Sequence, residues 1–305
     1  MSADPFSDVL RLTEAKSVMT GGFTAGGKWA LHIPRPDVIT IAAIAKGSCL
    51  LRLDGHKTAI RVDEGDVGLL SGDSGFVIGS DLTAPIHEVE ATDKRGRIDQ
   101  INRGGETTVL VGRVSLQPSS AALVMDVLPS RIHIKASSPR AASLRWLIEE
   151  LLAEATSPVP GTGVASEKLA ELLFVQILRA HVASTKTLPA SWMRATTDER
   201  ISRALKLVHE TPGRSWSVDQ LAKAAAMSRT RFAVRFKAVA GTAPLEYLTE
   251  WRMHLARQRL READSSIGEL ASELGYASES AFSNAFKRIV GKAPRMYRAS
   301  VRAVP

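Results

Sequence analysis

One pattern near the C-terminus constrains this chain more than any other: it occurs twice. SVDQLAKAAAMSRTRFAVRFKAVAGTAPLEYL, from Ser217, lines up with SIGELASELGYASESAFSNAFKRIVGKAPRMYR, from Ser266. Leu221 and Ala222 recur 49 residues later as Leu270 and Ala271. Phe232, Phe236, Lys237, Gly241, Pro244 and Tyr247 recur 50 residues later as Phe282, Phe286, Lys287, Gly291, Pro294 and Tyr297. One residue inserted in the turn reconciles the two offsets. Each copy opens on a capping-box pattern, Ser217 with Gln220 and Ser266 with Glu269. A short helix then leads through a turn into a second helix, for which Ser228 or Ser278 is the expected cap. This is the pattern of a helix–turn–helix, written twice.

The second helix of each copy has two different sides. At 100° per residue, Phe232, Phe236 and Val239 share a face, as do Phe282, Phe286 and Ile289. Opposite lie Thr230, Ala233, Val234 and Lys237 in one copy, and Ser280, Ser283, Asn284 and Lys287 in the other. Anchors inside and small or hydrogen-bonding groups outside suit a helix laid in a major groove. An isolated amphipathic helix would look the same, but charge separates the readings. Residues 196–305 hold 19 Lys/Arg against 11 Asp/Glu, whereas residues 1–195 hold 21 of each, so the whole net charge of +8 lies in the repeat region. A polyanion partner follows. The helix between the copies, about residues 245–262, would span ~27 Å, enough with its neighbours to hold two recognition helices about one DNA turn apart.

The first half reads differently. ALHI (30–33), VITIAAIA (38–45), CLLRL (49–53), TAIRV (58–62), VGLL (67–70), FVIG (76–79) and TVLVGRVSL (108–116) are short strand-like runs separated by Gly, Asp, Pro and Ser. They predict a sandwich or small barrel. GGFTAGG (21–27) has the glycines of a phosphate loop, but no helix follows it, so it reads as a flexible lead-in. The loop 92–106 reads as exposed and polar. After Pro139 the period changes: Ser138 is the expected cap of a first helix, and residues 165–182 predict a second that is apolar on most sides. That pair is either covered by the sheet domain or forms a dimer surface. Residues 184–198 show no period and read as a linker.

With these motifs in place, residues 200–300 resemble the tandem helix–turn–helix domain of AraC/XylS-type transcription regulators. The second copy carries GY-x-S-x-S-x-F-x-x-x-FK-x-x-x-G-x-x-P-x-x-YR almost position for position. Residues 26–130 resemble the cupin-like sensor domain of one branch of those regulators, through GKWALHIP (27–34), GSCLLRLDG (47–55) and EGDVGLLSGD (64–73). Residues 166–215 resemble that branch's helical connector. One departure stands out: Ala226 occupies the turn position held by Gly275 in the second copy, at an expected cost of about 1 kcal/mol if φ is positive there.

The resemblance implies an α+β chain of two domains. Residues 1–135 would form a cupin-like β-barrel, 136–185 a helical connector with dimerisation helices, 186–198 a linker, and 199–305 an all-α tandem helix–turn–helix domain. It implies base reading by Arg229, Thr230, Ala233 and Val234 and by Glu279, Ser280, Ser283 and Asn284. The first set is unusually apolar for such a role, which favours methyl contacts to thymine over hydrogen-bond readout. Arg231, Lys237, Lys287 and Arg288 would hold phosphates. Double-stranded DNA, RNA polymerase, an unidentified small-molecule effector and a second copy of the chain are the implied partners, and activation is the usual outcome, with repression left open.

Chemistry is not expected of the sheet domain. His32, His56, His87, His133, His181, His209 and His254 are scattered singles with no spacing that converges on one ion. No nucleophile elbow is present, so neither metal, cofactor nor catalytic residue is expected. The lone Cys49 fits a reducing cytoplasm, and no run of 18 apolar residues indicates a membrane span. Two alternatives stay open: a cupin-type enzyme with an accessory nucleic-acid module, and a DNA-binding protein whose barrel is purely structural.

Overall fold

The computed structural model describes residues 4–35, 38–71, 74–88, 97–102, 104–185, 188–262 and 265–302. Its strands are β1 (Lys16–Ala25), β2 (Ala30–Ile33), β3 (Ile39–Lys46), β4 (Ser48–Leu53), β5 (Ile60–Asp63), β6 (Val67–Leu70), β7 (Phe76–Gly79), β8 (Ile86–Glu88), β9 (Arg97–Ile101), β10 (Thr107–Ser115) and β11 (Arg131–Ile134). Its helices are α1 (Pro5–Leu12), α2 (Ala122–Met125), α3 (Ala141–Thr156), α4 (Thr162–Ser184), α5 (Trp192–Thr197), α6 (Ile201–Glu210), α7 (Val218–Ala224), α8 (Arg229–Ala240), α9 (Pro244–Glu262), α10 (Ile267–Glu273), α11 (Glu279–Val290) and α12 (Pro294–Arg302). They gather into a sheet unit, with the strands, α3 and α4, and a helical unit holding the other helices.

In the sheet unit a six-stranded sheet runs β11-β6-β3-β10-β1-β9 and a five-stranded sheet runs β5-β4-β7-β2-β8. The β1–β9 and β2–β8 pairs are parallel and the other pairs antiparallel. Inward residues of both sheets, among them Phe23, Ile44, Leu70 and Val109 from one and Leu31, Leu51, Val62 and Ile78 from the other, interlock as one apolar core. Of the sandwich or small barrel that the strand pattern predicts, the structure shows two sheets packed face to face, with no closed barrel among the described residues. The outer face of the larger sheet is also covered: α4 lies against β1, β6 and β11, and α3 against β3 and β9. This explains why β3 is apolar without alternation (burial on both faces removes the polar side) and why α4 is apolar around most of its circumference. Trp146, Val164 and Leu172 remain exposed on the helix pair.

Several local expectations were overturned. GGFTAGG is no lead-in: residues 21–25 belong to β1, between β10 and β9. Gly22 is needed there because a Cβ would run into the Val109 carbonyl. The expected loop 92–106 contains β9 at residues 97–101, where pairing with β1 outweighs the polar text; residues 92–96 and 103 lie outside the described residues. The first connector helix starts at Ala141 with Arg140 at its cap, and Ser138 gives it no side-chain bond. The stretch read as a linker contains α5, capped by Ser191, with Trp192, Met193 and Ala195 buried; residues 186–187 lie outside the described residues.

Packing in the helical unit does not follow chain order. Asp4 and Pro5 start α1, the Asp4 carboxylate accepting from the Phe6 amide at 3.2 Å. That helix then lies beside α5, α6 and α9, with Phe6 against Trp192 at 5.8 Å between rings and Glu14 accepting from Arg261. The Trp192 indole donates to Leu123 O in α2 at 2.6 Å, and Arg257 donates to Ser119 O at 2.9 Å. Both contacts tie distant chain segments to one helical core.

Candidate nucleic-acid interface

The sequence repeat becomes a structural one. Both capping boxes form: Ser217 accepts from Gln220 N at 3.2 Å while Gln220 Oε1 accepts from Ser217 N at 2.9 Å, and Ser266 and Glu269 do the same at 3.1 and 2.8 Å. In each module the paired phenylalanines are completely buried, with ring centres 5.6 Å apart for Phe232–Phe236 and 5.7 Å for Phe282–Phe286. A tyrosine closes each stack edge-on, Tyr247 at 5.8 Å from Phe236 and Tyr297 at 5.5 Å from Phe286. Gly241 and Gly291 end the recognition helices in the left-handed conformation, at φ 87° and 82°. The aromatic anchors thus hold α8 and α11 by one face and leave the other to solvent.

Each predicted site residue can be placed on that outer face or its flank. On α8, Arg229, Thr230 and Val234 are exposed and Ala233 is half-buried. Val234 stands opposite the phenylalanines with 67% of its surface open. On α11, Glu279, Ser280 and Asn284 are exposed and Ser283 is half-buried, so Asn284 occupies the position of Val234. The four phosphate candidates, Arg231, Lys237, Lys287 and Arg288, are all exposed. Two of the base-reading candidates carry surface ion pairs, Arg229 to Asp219 and Glu279 to Arg295, each at 3.3 Å. Such pairs contribute little and open readily for a ligand.

Sequence reasoning missed Arg235. It flanks the exposed face of α8, but its Nε and Nη2 both donate to Asp198 Oδ2, at 3.0 and 2.7 Å. Asp198 also accepts from the Arg200 and Ile201 amides at the start of α6. Burial raises its pKa, but these amides and the Arg235 guanidinium outweigh burial and hold the carboxyl below its ordinary value. Arg235 therefore braces α8 against α6. No local signal marks this, because the partner lies 37 residues away. Ser228 holds the expected cap position but makes no side-chain cap bond, whereas Ser278 accepts from Ala281 N at 3.1 Å.

Two cavities can be traced in the sheet unit among the described residues. The cavity lined by Ala42, Ile44, Leu51, Val62, Leu70 and Ile78 has about 20 Å³ reachable by water, room for about one molecule. Beside it an open cleft of about 680 Å³ is lined by Ile60, Arg61, Asp63, Asp66, His133 and Lys135. Asp66 organises its floor, accepting from Ala136 N at 2.7 Å and Asp63 N at 3.2 Å and meeting His133 Nε2 at 2.7 Å.

Comparison with known proteins agrees with both halves. A family described as Cupin matches residues 4–183, and one described as Helix-turn-helix domain matches residues 221–300. A protein of Streptomyces antibioticus described as an AraC-like transcription regulator is 35% identical over 297 residues, 97% of this chain and 98% of that protein. The HTH-type transcriptional regulator AlkR of Acinetobacter baylyi is 29% identical, over 89% of this chain and 91% of its own. Among solved structures, the DNA-binding domain of AdpA, in complex with a target DNA, is 33% identical with a TM-score of 0.33, covering 35% of this chain and 96% of that one.

Proposed function

Because this chain belongs to the AraC-like transcription regulators, with a cupin domain and a DNA-binding helix–turn–helix domain, we propose that it reads two successive major grooves on one face of a duplex, through α8 and α11. The observation that carries this reading is the twice-built module. The same buried aromatic trio holds each recognition helix, and the two outer faces differ at each of the four positions where bases would be met, among them Val234 against Asn284. Asn284, Ser280, Ser283 and Glu279 supply hydrogen-bonding readout, and Arg229, Thr230, Ala233 and Val234 supply mainly methyl contacts. Arg231, Lys237, Lys287 and Arg288 neutralise phosphates and set affinity without specifying sequence.

The sheet unit, in this reading, senses an effector or pairs with a second copy through α3 and α4, and so changes how well the two modules engage an operator. The protein acts in the cytoplasm as a regulator rather than an enzyme, and activation runs through contact with RNA polymerase. A second reading has a specific observation behind it. The apolar cavity between the sheets is water-sized, which supports a structural domain unless the effector uses the open cleft at Asp66 and His133. Selected-site binding with the full chain tests the DNA reading: random duplexes are offered and the survivors sequenced. Two enriched blocks about 10 bp apart are expected. Retention of every sequence alike, decaying only with salt, would reduce the repeat to a basic scaffold.

A further inference from the structure

A tandem reader needs more than two good recognition helices. They must be held at a fixed separation and angle, because each base pair of offset moves the second block by ~3.4 Å and turns it by roughly 35° about the duplex. The covalent link, α9, serves both modules: Tyr247 joins the first aromatic stack, and Met253, Ala256 and Leu260 join the core of the second. A helix shared in this way still leaves the modules free to rock about its axis unless something crosses between them.

Arg252 lies on α9 between those two groups and is 9% exposed, a buried cation with no carboxylate among its hydrogen-bond partners in the described residues. Its Nε donates to Pro212 O at 2.7 Å and its Nη2 to Arg214 O at 3.0 Å, both in the loop that leads into α7 of the first module. Its guanidinium carbon lies 5.5 Å from the ring centre of Tyr276, which follows the turn of the second module. Backbones meet at the same place. A Cβ on Gly213 would run into Glu273 O, and one on Gly275 would run into Gly213 O. Gly213 shows no positive φ, so closeness of approach, and not turn geometry, is what a side chain there would violate.

We propose that Arg252, spanning the Gly213–Gly275 contact, is a positioning residue for DNA readout: it locks the two modules together and thereby sets the separation of half-sites that the protein accepts. The fork is what matters. A guanidinium bonds two carbonyls at once and here still reaches Tyr276, whereas an ammonium is a point donor. The inference rests on the tandem reading above, and the test separates the two.

The experiment takes the selected operator and varies the gap between its two blocks by one and two base pairs either way, with the full chain as binder. Wild type is expected to lose about tenfold in affinity at the first displaced base pair, a penalty comparable to a mismatched base pair. Arg252→Met, similar in length but without donors, is expected to bind all gaps within about threefold while keeping the base preferences of each block. Arg252→Lys should fall between the two. Gly213→Ala keeps every donor but wedges the contact, and should move the preferred gap. Thermal melts accompany each variant. A folded Arg252→Met with the wild-type gap profile and only a lower melting temperature would reduce Arg252 to a stabilising residue and overturn the inference. If Arg252→Met does not fold, unchanged profiles in both Arg252→Lys and Gly213→Ala overturn it. A wild type with no preferred gap would remove the tandem reading itself, and the inference with it.

Discussion

The two helix–turn–helix modules share an interior and differ in almost everything else. The aromatic stacks agree to within a few tenths of an ångström, and both capping boxes and both C-terminal glycines are kept. The turns do not agree. Ala226 adopts φ 50° where the second module has Gly275 at φ 75°, and Ser228 gives no cap bond where Ser278 does. The first module is locally the poorer of the two, but it is braced from outside. Asp198 holds Arg235, Ser191 N donates to Val239 O at 2.9 Å, and α5 and α6 both lie against α8. The second module relies on its own core with α9 and α12. A shared core with divergent braces and outer faces is what results when packing constrains the inside and the ligand constrains only the outside.

The comparison can be broken most forcefully from within. Phe286→Ala should cost about 3–5 kcal/mol and unfold the second module selectively, since both transfer and cavity terms act at a fully buried ring. Phe236→Ala should cost a similar amount in the first, and denaturant melts followed by hydrogen exchange at α8 and α11 would assign each loss. Next in size is readout. Asn284→Ala should relax preference at a base pair by about 1–3 kcal/mol with the fold intact, while Val234→Ala, losing only methyl contacts, should relax it less. Site selection repeated with each variant measures both, and equal effects would erase the functional asymmetry.

Local repairs should give smaller, opposite-signed changes. Ala226→Gly is expected to stabilise the first module by about 1 kcal/mol, because glycine accepts positive φ without strain. Ser278→Ala should cost about 1 kcal/mol and Ser228→Ala almost nothing, as only the former loses a cap bond. Smallest is a pH effect, carried by His209 in the first module and by His254 on the shared α9. His209 is buried against Trp251, with ring centres 3.9 Å apart, and meets Tyr247 Oη at 2.8 Å. Burial lowers its pKa below the ordinary 6.5, outweighing the upward pull of Asp8 and Asp4. Below pH 6.5 the unfolded chain takes up a proton that the folded chain resists, so stability falls as pH drops. Burial, with the Arg257 charge, pushes His254 on α9 down to about 4, so the shared helix carries a dependence of the same sign toward the second module. Exchange rates at α8 and α11 between pH 7 and 5 would show whether the two separate.

What was legible in the sequence was what short-range physics controls. Capping boxes, the four-residue spacing of the phenylalanines and the glycine stops are decided within a few bonds, so reading them required no knowledge of distant residues. Most strands were legible for the same reason. β1 was not: its glycines look flexible in isolation, and only the close approach of β10 makes them a requirement. Likewise β9 is polar text that became a strand because an edge of β1 was available to pair with it.

By itself, then, the amino-acid order determined that there are two helix–turn–helix modules, which face of each is buried and which residues are offered outward, since helical periodicity and capping act locally. Tertiary structure alone decided how the modules are held to each other. The contacts that do this, Arg252 to the carbonyls of Pro212 and Arg214 and Gly213 against Gly275, like the Arg235–Asp198 brace of the first module, join residues about 40 to 60 positions apart. A carbonyl, a glycine or a surface arginine has no periodicity to announce its partner. Only when the chain closes on itself do burial and hydrogen-bond satisfaction choose one.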